Sequence, residues 1–557
     1  MGNYRAADPS HVVRSIPGPA TQGRGMPRRD FLLALAAAGA GGVLAAALGP
    51  AERAFAGRPR GAAAPAEAFP DGLIAGDPLP DGSVIWVRVA PPDDRGPVAV
   101  AWMVGEDDRF ETVVAGGLET VGADTDWCVK VRVRGLRPDR FYPYRFTAYG
   151  HDSRTGRLRT APRPSATPDR LRYAFASCQQ RGVRGITGEE SLYVTHRAIA
   201  ADEPDFLMHL GDYVYVSDGG TITLDDYRGV YKRFRTNPLL QDLQAAVPLV
   251  AVWDDGEFYN GVDRTGDPTR LAAARRAWFE AMPLRNDGSD RIYRRLTWGK
   301  LADVLLLDTR QYRDPEVPSN SRLGFLDAQD SRIPPGEDMF APGRTTLGAA
   351  QKAWLETELV ASRAAWRMLG SSYNVTPWRL RDLDDHTGML AGDPRLAQNA
   401  GVYVSNEAWD DYQVERRALL RYLNDRDIRN NVFTCGHTHF YLASELMPDF
   451  DDPASPTAAF DFTTGSQTAD PDPRELAPEG VLHATGQFFL RENRPYMKAI
   501  DLFYQGYATV DVTPEECIVR FRGVDTFDPD AEAITFGKYR VANGSRVLEV
   551  LPVDDEG

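Results

Sequence analysis

The sequence predicts two layered bodies in tandem: a small all-β sandwich over residues 69–160 and a larger α/β or α+β domain over residues 170–527. Three observations carry this. Short stretches in the front segment alternate apolar and polar residues with the strand period. The run Ala161-Pro162-Arg163-Pro164-Ser165-Ala166-Thr167-Pro168 makes residues 161–169 a stiff linker. Beyond it, short apolar strands alternate with helix-like runs.

Residues 1–56 precede both bodies and read as a targeting segment. Pro27-Arg28-Arg29-Asp30-Phe31-Leu32 stands before a soft, Ala/Gly-rich apolar run, and Ala54-Phe55-Ala56 has the small-x-small form of a cleavage site. A twin arginine in that setting predicts passage through twin-arginine export machinery to a secreted or cell-envelope location. The apolar run is about 16 residues, short for a bilayer crossing, so no stable membrane span is expected.

The chain has 557 residues, 43% hydrophobic and 26% charged, enough for more than one buried core. Its net charge of −15 argues against nonspecific nucleic-acid binding, which needs clustered Lys and Arg, and no nucleic-acid partner is expected. Four cysteines, Cys128, Cys178, Cys435 and Cys517, are too few to staple a chain of this size, and their pairing is left open.

In the front domain, residues 83–89, 129–133 and 142–146 alternate as strands between the turns Pro80-Asp81-Gly82 and Leu136-Arg137-Pro138-Asp139. The segment 136–146 resembles the last turn and strand pair of a fibronectin-III-like module. In the second domain the apolar runs 171–176, 206–210, 249–252, 304–307, 366–369 and 432–434 read as strands, and 271–281 and 350–359 as helices. Residues 507–519 return to strand-like alternation. Residues 450–480, rich in Asp, Pro, Thr and Ser, read as a surface loop, and 528–557 as a C-terminal tail.

Four polar clusters each directly follow an apolar strand: Phe175-Ala176-Ser177-Cys178; His209-Leu210-Gly211-Asp212-Tyr213-Val214-Tyr215; Trp253-Asp254-Asp255-Gly256-Glu257-Phe258-Tyr259-Asn260; and Cys435-Gly436-His437-Thr438-His439. Taken singly, each has a bland reading: an Asp capping a turn, a His pair on a strand, a small buried thiol. Together they are placed to converge on one sheet edge. Two cations about 3.5–4 Å apart can clamp both oxygens of an in-line phosphoryl displacement, given a bridging carboxylate and separate ligands. Asp212 is the natural bridge, with Cys178, Tyr215 and His439 at one ion and Asp255 and His437 at the other. The sequence carries no G-x-S-x-G elbow and no P-loop, so no protein nucleophile is called for.

Strand-Gly-Asp, Asp-near-Glu and Gly-His-x-His, in that order, resemble the calcineurin-like metallophosphoesterases. Phe-Ala-Ser-Cys-Gln at 175–179, Gly-Asp-Tyr-x-Tyr at 211–215, Trp-Asp-Asp at 253–255, Asp308-Thr309-Arg310-Gln311-Tyr312-Arg313, and Gly76-Asp77-Pro78-Leu79-Pro80-Asp81-Gly82 resemble the PhoD-type alkaline phosphatase/phosphodiesterase branch. The resemblance implies a four-layer α/β/β/α catalytic domain behind the fibronectin-III-like sandwich. It implies Fe(III) held by Cys178, Asp212, Tyr215 and His439, with calcium or another divalent metal as companion. The implied activity is hydrolysis of phosphomonoesters or phosphodiesters by metal-activated water, with Asp212 and Asp255 central. Asn260 is a candidate for contact with metal or phosphate. Arg310 reads equally as a bidentate phosphate clamp and as an ion pair with Asp308 or a neighbour.

Two positions depart from that pattern. Gly256 stands where the branch has a histidine that helps the leaving group, and it reads as open space; His209, His386 and His196 are the candidate replacements. His437 stands where the branch often has Asp, which softens the second metal position. Two other readings therefore accompany the first: a phospholipase D-like phosphodiesterase taking a phospholipid rather than a small phosphoester, and a catalytically degenerate phosphate binder.

Overall fold

The computed structural model describes residues 26–27, 65–180, 192–216, 219–317, 339–380, 402–403, 408–469 and 477–553. The chain forms two compact units. One is the front segment through Arg163 together with Tyr231–Val250 and Arg275–Arg291; the other is Pro164–Val230, Ala251–Ala274 and the chain from Ile292 onward.

In the front unit, strands Thr112–Val121, Val98–Gly105, Arg140–Ala148 and His151–Asp152 pair antiparallel in that order, and Gly156–Thr160 also pairs with Arg140–Ala148. Strands Leu73–Leu79, Gly82–Arg88 and Cys128–Val133 pair antiparallel in that order. The period-2 pattern explains the core: Val129, Val131 and Val133 point inward to meet Ile85, Val87, Trp102, Tyr144 and Phe146. The strand Gly82–Arg88 is buried on both faces. On its far side Trp86 donates Nε1–H to the Glu280 carbonyl at 2.7 Å, and the Arg235 guanidinium lies 4.1 Å from its ring centre. That second face is why the chain returns to this unit at 231–250 and 275–291, which the linker at 161–169 does not anticipate.

In the second unit, strand Leu171–Ala176 runs parallel to Phe206–His209 and antiparallel to Gln505–Val512, which continues into Glu516–Val524. Another sheet orders Arg294–Trp298, Ala302–Leu306, Trp366–Tyr373, Asn431–Gly436, Ala459–Thr463, Tyr441–Leu446 and Met497–Asp501. Its central strands, from Ala302–Leu306 to Ala459–Thr463, are parallel. Helices Gly348–Ala361 and Gln413–Asp425 place Leu355, Leu359, Leu419, Leu420 and Leu423 at helical spacing against Leu305, Leu369 and Phe433. The polar clusters begin at strand ends of both sheets: those at 178 and 212 follow the first, those at 308–310 and 437–439 the second, so they do not share the single sheet edge that the sequence suggested.

Two expectations are corrected. Within 450–480, Ala459–Thr463 is a fully buried strand and helix Glu479–Glu492 begins. Polar composition misleads here because Asp461 is buried with partners: its Oδ2 accepts from Val375 N, Thr376 N and Thr376 Oγ1, each at 2.8 Å. The tail at 528–557 supplies strands Ile534–Ala542 and Glu549–Leu551, the first paired to Glu516–Val524. All four cysteines are free. Among the described residues no helix is long and apolar enough to cross a membrane. The twin-arginine run lies outside the described residues.

Truncation after residue 528 tests the corrected C-terminus. It removes the buried side chains of Tyr539, Val541 and Leu548, about 1.5–3 kcal/mol apiece. The truncated protein should lose several degrees of Tm or fail to accumulate in soluble form; a dispensable tail would leave thermal unfolding unchanged.

Candidate metal centre

Five loops leave strand ends to build one acidic site. Ser177 and Cys178 follow Leu171–Ala176, and Gly211 and Asp212 follow Phe206–His209. Val252 N donates to the His209 carbonyl at 3.0 Å and delivers Asp254 and Asp255. Asp308 and Arg310 follow Ala302–Leu306, and His437 and His439 follow Asn431–Gly436. Cys178, Asp212, His437 and His439 all sit in the left-handed region, at φ 60°, 54°, 72° and 58°. Non-glycine residues are strained there, and such strain persists only where surrounding contacts hold it.

Those contacts are visible. The buried Glu257 carboxylate ties two loops together: Oε2 accepts from Asp212 N at 3.0 Å and Asp254 N at 2.8 Å, and Oε1 accepts from Tyr213 N at 2.6 Å. Gly211, at φ 103°, lets the loops touch; a Cβ there would lie 2.3 Å from Asp254 Cβ. Ser177 Oγ accepts from His437 N at 3.3 Å and lies 3.1 Å from Cys178 Sγ. Gln351 holds the Asp308 loop, accepting from Asp308 N at 2.8 Å and donating to its carbonyl at 2.7 Å.

The result is two sets of potential ligands that share Asp212. In one, Cys178 Sγ is 3.4 Å from Asp212 Oδ2, and the Tyr215 hydroxyl is 2.9 Å from the same oxygen and 3.3 Å from His439 Nε2. In the other, Asp212, Asp254, Asp255 and His437 converge, with His437 Nδ1 2.7 Å from Asp254 Oδ2 and 3.9 Å from Asp255 Oδ1. Cys178, Asp212 and His439 form one group whose ligand atoms lie within 4.8 Å of one another, and the four residues of the second set form another. Atoms about 2.1 Å from one ion and at right angles are about 3 Å apart, so the spacing fits a coordination shell. Thiol, phenol and imidazole suit a transition metal, and a carboxylate-rich set accepts a harder cation.

Electrostatics point the same way. Burial, then the charges of Asp254 and Asp255, push the Asp212 carboxyl well above its usual range. Burial and then Asp212 raise the Cys178 thiol and the Tyr215 phenol likewise. Asp254 runs the other way: burial opposes its charge, but Arg310 and His437 outweigh burial and hold it low. Metal ligation by carboxylate, thiolate and phenolate requires these groups ionised, and a cation is what makes that affordable in a buried site.

Several expectations change. Asp254, passed over in favour of Asp255, stands in the second set beside it; the Asp-Asp pair was visible in the sequence, but not which carboxylates turn inward. Arg310 pairs with Asp254 rather than Asp308, whose Oδ1 accepts from Trp253 Nε1 at 2.9 Å. Asn260 is exposed, unlike the buried acids. Gly256 is not open space: its N–H donates to Asp212 Oδ1 at 2.9 Å, and a Cβ would sit 2.6 Å from that oxygen and 2.8 Å from the Val214 carbonyl oxygen. His209 and His196 are core residues, facing Gln467 Nε2 at 3.2 Å and Gln179 Oε1 at 2.9 Å, and burial pushes both down to about 3. His386 lies outside the described residues.

The family model described as PhoD-like phosphatase matches residues 173–521, and the model of the PhoD-like phosphatase N-terminal domain matches 54–162. The chain belongs to the PhoD-like phosphatase family. Alkaline phosphatase D of Bacillus subtilis (strain 168) is 31% identical over 491 residues, 82% of this chain and 77% of that protein. A solved structure of PhoD superposes with a TM-score of 0.74 at 28% identity, covering 88% of this chain and 93% of that one. This PhoD-family chain is thus a metal-dependent phosphoric ester hydrolase, a mixed α/β domain preceded by a smaller, mostly β domain.

Gly256→His should lower turnover at least tenfold, because its Cβ displaces Asp212; a faster enzyme in steady-state assays would contradict the close-approach reading. His196 and His209 set a pH dependence. Below an ordinary histidine value of 6.5 the unfolded chain takes protons that the native imidazoles, at about 3, refuse. Each histidine therefore removes stability as pH falls from 6.5, by up to about 1.4 kcal/mol per unit. His209→Gln should flatten the fall between pH 6.5 and 4 in denaturant unfolding; an unchanged slope would count against a buried neutral imidazole.

Proposed function

We propose that this chain is an exported enzyme that hydrolyses phosphomonoesters or phosphodiesters at the paired clusters. Fe(III) is assigned to Cys178, Asp212, Tyr215 and His439, and calcium or another divalent metal to Asp212, Asp254, Asp255 and His437. The observation that carries the reading is the membership of Asp212 in both sets, as a bridging ligand requires. Cations bound there supply positive charge to the phosphoryl oxygens and acidify the attacking water.

The chain's own residues do the remaining work. The Gly256 N–H donates to Asp212 Oδ1 and fixes that carboxylate, leaving Oδ2 on the side of Cys178 and Tyr215. Glu257 keeps the Asp212 and Asp254 loops in register. His196 and His209 are sealed in the core and cannot protonate a departing alkoxide. His386, the third candidate, lies outside the described residues; an aryl ester, whose leaving group needs no proton, does not depend on such an acid.

The finer architecture follows the same support. The sheets and flanking helices of the catalytic unit agree with a four-layer α/β/β/α arrangement, and the front strands with a fibronectin-III-like sandwich. Arg28-Arg29 before an apolar run supports twin-arginine export.

A tyrosinate on Fe(III) absorbs visible light, so the purified protein should be coloured and Tyr215→Phe should bleach it. Asp212→Ala should abolish metal loading in elemental analysis and turnover of p-nitrophenyl phosphate, bis-p-nitrophenyl phosphate and a phosphocholine lipid. Full activity in Asp212→Ala, or in colourless, iron-free protein, would refute the assignment.

A further inference from the structure

We propose that Arg310 is a positioning residue that shapes the second cation set, not a phosphate clamp; this rests on the two-cation reading above. The Arg310 side chain is 0% exposed. A phosphoester entering from solvent cannot touch a guanidinium with no accessible surface. What the guanidinium does touch is three of the four members of the second set. Nε donates to Asp254 Oδ1, and Nη2 lies 3.2 Å from His437 Nδ1 and 3.7 Å from Asp255 Oδ2.

The geometry divides the Asp254 carboxylate. Oδ1 is taken by Arg310, and Oδ2 is left facing His437 Nδ1 at 2.7 Å. A carboxylate pinned on one oxygen presents the other in a fixed direction, which is how second-layer partners orient metal ligands. The charge also fits. The set contains three aspartates, and a permanently protonated guanidinium cancels one of them, leaving a charge suited to a single divalent ion.

Arg310 is itself held. Its backbone N donates to Asp308 Oδ1 at 3.2 Å, and its guanidinium carbon lies 5.0 Å from the centre of the Tyr373 ring. Asp308 is fixed in turn by Gln311 Nε2 at 2.7 Å and by Trp253. Within Asp308-Thr309-Arg310-Gln311, Asp308 organises the loop and Arg310 reaches the acids. Lysine cannot replace the fork, because an ammonium cannot reach Asp254, Asp255 and His437 from one plane.

The test is Arg310→Lys in the full-length, iron-containing protein stripped of its second metal by a calcium chelator, then titrated with Mn²⁺ or Ca²⁺ alone. Cation affinity should fall about 10–100-fold. The visible band of the first cluster should remain, and KM for p-nitrophenyl phosphate should be unchanged once the cation is saturating. Unchanged cation affinity with a raised KM and weaker inhibition by inorganic phosphate would overturn the proposal and restore the clamp. Unchanged affinity and kinetics would also overturn it. A wild-type protein that elemental analysis finds to hold no metal pair would instead sink the two-cation reading. If Arg310→Lys does not fold, wild-type crystals soaked in inorganic phosphate decide: no phosphate oxygen should come within hydrogen-bond distance of Arg310, and one that does refutes the proposal.

Discussion

The catalytic unit is organised around one electrostatic constraint: several acids are buried within a few ångströms of each other. Asp212, Asp254 and Asp255 share one set, and Cys178 and Tyr215 crowd the same Asp212. Leaving an ionised carboxylate buried without a partner costs several kcal/mol. Arg310 answers part of that charge. The rest must be met by protons or by cations, and the ligand spacings and the mixed donor set favour cations.

The fold makes the crowding possible. Within each sheet the parallel strands end at one edge, so loops distant in sequence start close in space. Three of the five loops then turn sharply, with Cys178, Asp212, His437 and His439 in the left-handed region. Backbone of that kind is maintained by specific contacts rather than by local preference. Glu257 holds the Asp212 turn, with three backbone N–H groups on one carboxylate, and Ser177 Oγ meets Cys178 and His437. The glycines at 211 and 256 serve by having no Cβ where loops meet.

Much of this was legible in the sequence because its signals are local. An apolar strand followed by a polar cluster needs only a short window, and four such windows located Cys178, Asp212, Tyr215, Asp255, His437 and His439. What escaped depends on pairing across the chain. Arg310 finds Asp254, 56 residues away, instead of Asp308 nearby. Gly256 looks vacant in one dimension and is crowded in three. The strand Ala459–Thr463 is disguised by Asp461, whose partners at Val375 and Thr376 lie far back in the sequence. Strand Ile534–Ala542 was hidden among the acidic residues of the C-terminus. The return of 231–250 and 275–291 to the front unit left no compositional mark, because a second buried sheet face is announced only by its covering partner.

Anomalous scattering from crystals of the purified protein, recorded on both sides of the iron absorption edge, tests the central claim most directly. The account predicts an iron peak within bonding distance of Cys178 Sγ, an Asp212 oxygen, the Tyr215 oxygen and His439 Nε2, with a second, different peak on the far side of Asp212. Density empty of any heavy scatterer at Asp212, or an iron bound elsewhere, would contradict it.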